Sequence, residues 1–563
     1  MKTRAVGGSQ SNGAASILRP VAKRPRSLCY LGTMVEAQFD QAKVLDFMAS
    51  PQAYDSAPAR VDRIETHASI VFLAGERAYK VKRAVKYPFL DFSTLERRRV
   101  ACLHELALNR RTAPQLYLEV VPVTHGDDGG FHLGGPGEAV EWVLVMRRFH
   151  QADLFDRMAE EKRLPLTLMP PLARTIAAFH RGANRILAPQ ENVSALRGVV
   201  EDNARTLGAQ GDAITREILG EVHRLSLGAL DSFDSLLKAR ALGGSVRHCH
   251  GDLHLRNIVE IGGEPVLFDA IEFDDAIATI DFLYDLAFLL MDLGARGLPA
   301  HANALLNAYL DASVDTGDLI GLRLLPLFLS MRAMVRAKVE LLRAALAEDS
   351  VRAEARRRVE SYVALARDYL EPRPPQLVAI GGLSGSGKSS VARALAPHLG
   401  SFPGALHVRS DRERKRLFGV GDEERLPERA YRAEVSDIVY RMCRKRALMG
   451  IEGGQAVIVD AVHAKAEERE ATAACAARAG VNFTGIWLEA QPDAMRGRIA
   501  GRTADVSDAT AAVLEQQLDY DLGPQSFTVV DANRPVDEVV ATCLDILRQG
   551  SNERSARPLI ALT

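Results

Sequence analysis

From Val61 onward apolar and polar positions alternate with a period near two in VDRIET (61–66), ASIVFL (68–73) and AYKVK (78–82). The turn Ala74-Gly75-Glu76 separates the last two runs. Short β-rich runs bounded by turn residues predict an antiparallel sheet. Helical periodicity follows from Ser93 to Arg111. Strands are then expected around Leu116–Val123 and Glu141–Met146, flanking the glycine-rich hairpin HGDDGGFHLGGPGE. From Leu166 to about Arg240, and again from Asp281 to Leu370, the apolar positions recur at helical spacing. The pattern is a small β-rich lobe followed by a larger helical one, an α+β architecture.

The stiff segment Glu371-Pro372-Arg373-Pro374-Pro375 cannot continue a helix and predicts a boundary. Beyond it, apolar strands (LVAIGG, QAVIVD, FTGIWLE, FTVVD) alternate with helical stretches. That alternation predicts an α/β domain with a parallel sheet covered on both faces. The expected division is a basic leader over 1–33, a first domain over 34–371, a second over 376–549 and a loose tail over 550–563. The leader carries Lys2, Arg4, Arg19, Lys23, Arg24 and Arg26 and no acid. It resembles a transit peptide in composition, or it precedes a true start at Met34.

Composition narrows the partners. In 563 residues, 71 Lys+Arg balance 72 Asp+Glu, a formal net charge of -1. No global positive field favours nucleic acid, so a polyanion must be gripped locally. Six scattered cysteines without a CxxC pair argue against a zinc site or disulfide framework and fit a cytoplasmic protein. The most apolar stretch, Leu319–Met334, contains Arg323 and Arg332 and is too short to span a bilayer, so a buried helix and no membrane partner are expected. Composition leaves the oligomeric state open.

The strand LVAI runs into Gly382-Leu383-Ser384-Gly385-Ser386-Gly387-Lys388-Ser389 and then a helical segment that begins with Ser390. This is GxxxxGK[ST] in the strand–loop–helix setting that the motif needs. Its backbone N–H groups and the following helix N-terminus cradle the phosphates of ATP; Lys388 neutralises charge and Ser389 ligates Mg²⁺. Asp460, closing VIVD, is placed to hold the metal. Asp411, after the strand-like HVRS, is either a general base or a helix N-cap. Arg496, Arg498 and Arg502 are spaced like a lid, or form a solvated face. Together these features resemble the adenylate-kinase-like P-loop kinases, a group including gluconate kinase, chloramphenicol phosphotransferase and zeta toxins, over roughly 377–549.

A second constellation lies upstream. In His250-Gly251-Asp252-Leu253-His254-Leu255-Arg256-Asn257, followed by VLFDAIEFDD, Asp269 stands twelve residues after Asn257. Asp252 can take a hydroxyl proton, while Asn257 and Asp269 can supply oxygens to Mg²⁺. HGDLHLRN resembles the catalytic loop of aminoglycoside phosphotransferases and choline-kinase-like enzymes, over roughly 61–370. The resemblance implies a two-lobed protein-kinase-like fold. It implies that Asp252 is the base and that Asn257 and Asp269 are metal ligands. It also matches Lys82 to the phosphate-holding lysine of the third strand, with Lys80 on the same face as competitor, and Glu105 to its acidic partner. The glycine-rich lid is replaced by Thr66-His67-Ala68-Ser69, where Ser69 or a backbone N–H could touch phosphate. His250, His254 and Asp285 are expected to order the loop, and Glu272, Asp274 and Asp275 either attract a cationic substrate or sit on a solvated face.

The resulting expectation is a bacterial fusion of two kinase-like domains. It would be a bifunctional phosphotransferase that uses ATP and Mg²⁺ and acts on a hydroxyl of a small molecule. The alternative is one active kinase domain beside a P-loop module that regulates or binds.

Overall fold

The computed structural model describes residues 40–555 except 67, 88–89, 210–212, 314–316, 345–348 and 502–505. The expected leader, Met34, His67 and Arg502 therefore lie outside the described residues.

The β-rich lobe is a six-stranded antiparallel sheet: β1 (Val61–Glu65), β2 (Ser69–Ala74), β3 (Arg77–Lys82), β4 (Tyr117–His125), β5 (Phe131–Leu133) and β6 (Glu138–Arg147), in the order β1-β2-β3-β6-β4-β5. Helix α1 (Gln41–Ala49) packs Val44 and Met48 on one face, against Phe72, Tyr79 and Val81. Because strand side chains alternate, Lys80 and Lys82 leave from the opposite face of β3. They meet α2 (Leu95–Asn109), which Thr94 caps by accepting from Arg97 N–H.

The helical lobe carries four short strands around the 250–257 loop: β7 (Val246–His248), β8 (Ile258–Ile261), β9 (Glu264–Leu267) and β10 (Thr279–Asp281). Helix α3 (Phe282–Ala295) is buried from Phe282 through Leu293, with Asp285 and Asp292 the two acids on an otherwise apolar helix. It is followed by α4 (Pro299–Ala312), α5 (Leu325–Ala344) and α6 (Asp349–Tyr369). The apolar stretch expected to form a buried helix becomes α5, preceded by shorter turns.

The C-terminal part is a five-stranded, all-parallel sheet: β11 (Gln376–Gly381), β12 (Leu406–Arg409), β13 (Val457–Asp460), β14 (Asn482–Glu489) and β15 (Thr528–Asp531), in the order β12-β13-β11-β14-β15. Its strands are nearly continuous apolar runs, as a sheet covered on both faces requires. The covering helices that bear on the site are α7 (Lys388–Leu395), α8 (Ser410–Phe418), α9 (Ala433–Glu452), α10 (Pro492–Ala500) and α11 (Val536–Ser555). Gly550, where the loose tail was expected to begin, lies within α11.

The two parts share a core. The apolar cluster of α3, α4 and α5 continues through Leu377, Leu406, Val457 and Cys443 of the parallel-sheet part. Helix α4 supplies the polar joint. Asn303 and Asn307 donate to the Ala405 carbonyl at 3.0 and 3.2 Å, and Asn307 accepts from His407 N–H at 2.8 Å. At the end of α4, Asp311 receives Arg412 and Arg416 from α8 and Arg446 from α9.

Candidate active sites

The first site forms where the sheet lobe meets the helical lobe. Glu105 is fully buried on α2 and shared between two lysines: Lys80 Nζ lies 2.7 Å from Oε1, and Lys82 pairs with Oε2. Burial opposes the charge on Glu105, but the two ammonium groups outweigh it and hold the carboxyl at about 2. Lys80 also reaches Asp269 Oδ1 at 2.8 Å, whereas Lys82 turns to Glu272. The Lys80 side chain is 15% exposed and that of Lys82 1%.

Asp269 takes a left-handed backbone, φ +60°, which is uncommon for a side-chain-bearing residue. Two side chains hold it there. Tyr117 Oη accepts from Asp269 N–H at 3.1 Å, and Asn109 Oδ1 accepts from Ala270 N–H at 2.8 Å. Neither Asn109 nor Tyr117 stood out in the sequence; the only available signal for Asn109 was its place one helical turn after Glu105.

On the catalytic loop, Asn257 Nδ2 donates to Asp252 Oδ2 at 3.0 Å, and His254 Nε2 lies 3.3 Å from the same oxygen. Burial opposes ionisation of Asp252, but His254, His250 and Arg336 hold its carboxyl well below the usual range. It is therefore a carboxylate at neutral pH. Helix α3 fastens the loop from below. Asp285 accepts from His250 N–H at 3.1 Å and Gly251 N–H at 2.9 Å, and Asp292, two turns later, accepts from Leu255 N–H at 3.0 Å. Asp285 is thus placed as the support expected of it, and Asp292 is its unforeseen companion. Ser69 is buried and its N–H donates to Thr66 Oγ1, so it is not placed to touch phosphate.

The second site lies at the C-terminal ends of the parallel strands, where such sheets bind ligands. The phosphate loop passes Leu488 and Met495 so closely that a Cβ on Gly382 or Gly385 would lie 2.6 Å from a backbone oxygen of each. Ser389 Oγ donates to Asp460 Oδ2 at 2.6 Å, and His407 Nε2 lies 3.0 Å from the same oxygen. Burial opposes the charge of Asp460; His407, Arg409 and Lys388 outweigh it and keep the group ionised. Lys388 Nζ donates to the Leu383 carbonyl at 2.9 Å.

A cleft of about 750 Å³ opens from this loop. Ser384, Gly385, Gly387, Lys388, Ser389, Ser390, Asp411, Asp460 and Arg498 line it, whereas Gly382 and Ser386 lie behind it. Asp411 occupies the first turn of α8 rather than its cap, which is Arg409. Arg498 donates to the carbonyls of Ser386 at 3.2 Å and Ala532 at 2.7 Å. Arg496 is spent on Asp493 and Glu515 at the surface and does not join the site. Arg409, Arg414, Tyr431 and Gln517 are also among the lining residues; they stand far apart in the chain, so no local pattern marked them as a group.

Behind the loop, fully buried His463 lies between the rings of Tyr440 and Phe527. Burial, aided by Lys388 and Arg469, holds its imidazole down to about 3. Between that value and the ordinary ~6.5, the unfolded chain binds a proton that the folded chain refuses, so stability falls as pH drops through this window. We expect the melting temperature to decline on acidification from pH 7 to 4.5, and His463→Phe to flatten that decline. An unchanged slope refutes this role.

Two family models match the chain, one over each part. Residues 76–320 match the phosphotransferase enzyme family, and residues 377–521 match an AAA domain family. An uncharacterized protein of Mycobacterium tuberculosis H37Rv is 31% identical over 497 residues, spanning 85% of this chain and 94% of its own; one from Mycobacterium bovis matches equally. Among solved structures, a choline/ethanolamine kinase family protein from Mesorhizobium loti is 16% identical, covering 57% of this chain and 99% of its own with TM-score 0.36. A gluconokinase from Sinorhizobium meliloti 1021 is 21% identical, covering 33% and 99% with TM-score 0.25. Among the described residues, no helix is long and apolar enough to cross a membrane.

Proposed function

Because the chain belongs to the family of proteins that join a phosphotransferase-family domain to a P-loop kinase-like domain, we propose that it is a phosphotransferase with two ATP sites, each phosphorylating a hydroxyl of a small molecule. The observation that carries this reading is the convergence of Lys80, Glu105, Asp269 and the pair Asp252 and Asn257 from four separate segments onto one lobe junction.

In the first site Lys80, oriented by Glu105, holds the nucleotide phosphates, and Lys82 locks the loop after Asp269 through Glu272. Asn257 and Asp269 offer hard oxygens suited to Mg²⁺, and Asp269 keeps 42% of its side chain exposed for that purpose. Bound Mg²⁺ supplies charge neutralisation on the phosphates. Asp252 orients the acceptor hydroxyl and takes its proton as the new O–P bond forms and the bond from the γ-phosphorus to ADP breaks. The proton then passes to solvent, so the products are a phosphate ester, ADP and H⁺.

In the second site Lys388, with the loop residues Ser384–Ser390, holds the triphosphate. Ser389 and Asp460 offer the metal oxygens, Asp411 faces the cleft as base, and Arg498 steadies the loop. The proposed cellular setting is the cytoplasm.

A second reading has an observation in its favour: α4 bonds both to β12 and to α8, so the P-loop part could act as a nucleotide-dependent regulator of the first site. Lys388→Ala separates the readings. Losing a charge-assisted phosphate contact should weaken nucleotide binding at the second site about 10–100-fold. In full-length Asp252→Ala protein, which retains only this site, the same substitution should abolish acceptor-stimulated ATP turnover. If no acceptor from pooled metabolites raises turnover of Asp252→Ala above slow hydrolysis, the regulatory reading replaces catalysis at the second site.

A further inference from the structure

Helix α4 belongs to the first part of the chain, yet one of its faces is turned to the second site. Asn303, Asn307 and Asp311 stand four residues apart and so share that face. Asn303 and Asn307 donate to the Ala405 carbonyl at 3.0 and 3.2 Å, and Asn307 Oδ1 accepts from His407 N–H at 2.8 Å. The row therefore holds β12 by its backbone, and β12 runs directly into α8. Asp311 takes hold of α8 itself. Its Oδ2 accepts from Arg412, and its Oδ1 accepts from Arg416 at 3.3 Å and from Arg446 of α9 at 3.2 Å.

The held segment carries groups assigned to the second site. Ser410, Asp411 and Arg414 line the cleft, whereas Arg412 and Arg416, one turn apart on α8, reach α4. On β12 the His407 side chain lies 3.0 Å from Asp460, which also accepts from Ser389. Two further acids meet these arginines: Asp422, 2.6 Å from Arg412, and Glu413, which pairs with Arg416 and lies 3.7 Å from Arg446. Glu413 is on α8 and Asp422 lies just after it, so both travel with that helix; Asp311 stands outside it. Arg414 and Lys415 fasten α8 to later segments through the Ala430 carbonyl and Asp508, so losing Asp311 shifts the helix without freeing it. Helix α4 is itself anchored: buried Tyr309 meets His180 Nδ1 at 2.9 Å, and His180 Nε2 lies 3.1 Å from Asp285.

We propose that the first part of the chain braces the second site: Asp311 is a positioning residue that sets α8, and through it the reach of Asp411 toward the phosphate loop. The inference rests on the reading of Asp411 as the base of that site. Charge-assisted hydrogen bonds from guanidinium to carboxylate are short and directional, so one aspartate that receives two arginines of α8 fixes both its position and its rotation. A misplacement of about 1 Å at a reacting group costs about 10²-fold in rate, which makes a brace outside the cleft visible in turnover.

The test uses full-length Asp252→Ala protein, MgATP as the probe and water as the acceptor. Water attacks the γ-phosphorus, its proton passes to Asp411, the bond to ADP breaks, and ADP and phosphate leave. The rate counted is the part lost on Lys388→Ala. Asp411→Ala should lower it about 10²-fold or more. Asp311→Asn, which keeps the shape and removes the charge, should lower kcat about 10–100-fold with KM for MgATP unchanged, and Asp311→Glu should recover part. In Asp411→Ala protein the added Asp311→Asn should cost nothing more, because the group it positions is gone; a role in the fold alone would cost the same in both backgrounds. Arg412→Gln with Arg416→Gln, at partly exposed positions, removes the same contacts from α8 and carries the test if Asp311→Asn does not fold. Equal losses in the two backgrounds, or full turnover in the Asp311 or the double arginine variant beside an impaired Asp411→Ala, overturn the brace and leave the base standing. Full turnover in Asp411→Ala, or no Lys388-dependent hydrolysis, refutes the reading of the second site, and the brace falls with it.

Discussion

Asp252→Ala is expected to lower acceptor phosphorylation at the first site by about 10²–10⁴-fold, the usual scale for a positioned acid–base group. The argument is geometric before it is chemical. The carboxylate is held by Asn257 Nδ2 and His254 Nε2, on a loop whose backbone is fastened to α3 by Asp285 and Asp292. Removing the side chain leaves this support in place, so the loss reports proton acceptance and hydroxyl orientation rather than collapse. Phosphate-ester formation in Lys388→Ala protein, with and without Asp252→Ala, gives the measurement. Undiminished phosphorylation would refute the assignment; a reduction of only a few-fold would leave metal and positioning as the main contributors. Asp252→Asn, which keeps the hydrogen-bonding shape and removes the charge, should fall nearly as far.

The second large effect is on stability. Glu105→Ala leaves Lys80 and Lys82 without their common buried partner, and breaking a buried ion pair from one side costs about 3–5 kcal/mol. Urea unfolding followed by circular dichroism should show that loss in the transition of the sheet lobe. Adding Lys82→Met should recover part of it, because the buried cation that lost its partner is then gone as well. The wild-type contribution is present at neutral pH. It fades as pH falls from about 4.5 toward 2, because the folded carboxyl titrates below its ordinary value. A loss below about 1 kcal/mol would mean that Asp269 and Glu272 alone neutralise both lysines, on the scale of an exposed pair.

Much of both sites was legible in the sequence because their parts lie close together in the chain. The phosphate loop needs glycines, a lysine and a serine at fixed offsets, since one strand–turn–helix makes the whole cradle. The proposed base and metal ligand, Asp252 and Asn257, likewise stand five residues apart on one turn. The period-two runs predicted the sheet lobe, and the apolar runs after Pro375 predicted the parallel sheet. The broad arrangement is therefore visible without coordinates.

What stayed illegible depends on which distant segments meet. Lys80 and Lys82 share one face of β3, so alternation could not tell them apart; in the fold Asp269 approaches one and Glu272 the other. Asn109, Tyr117 and Asp292 look like ordinary helix and strand residues until the loops they hold are brought against them. Arg496 and Arg498 are two residues apart, yet one is spent on surface acids and the other on the phosphate loop, because α10 presents them to different neighbours. Chain order alone determined the two phosphate-handling motifs and the lobes that carry them, since those rest on local backbone geometry and periodicity. The division of acidic partners between Lys80 and Lys82, and the different neighbours of Arg496 and Arg498, were decided only in three dimensions, where burial forces each charge to find a partner.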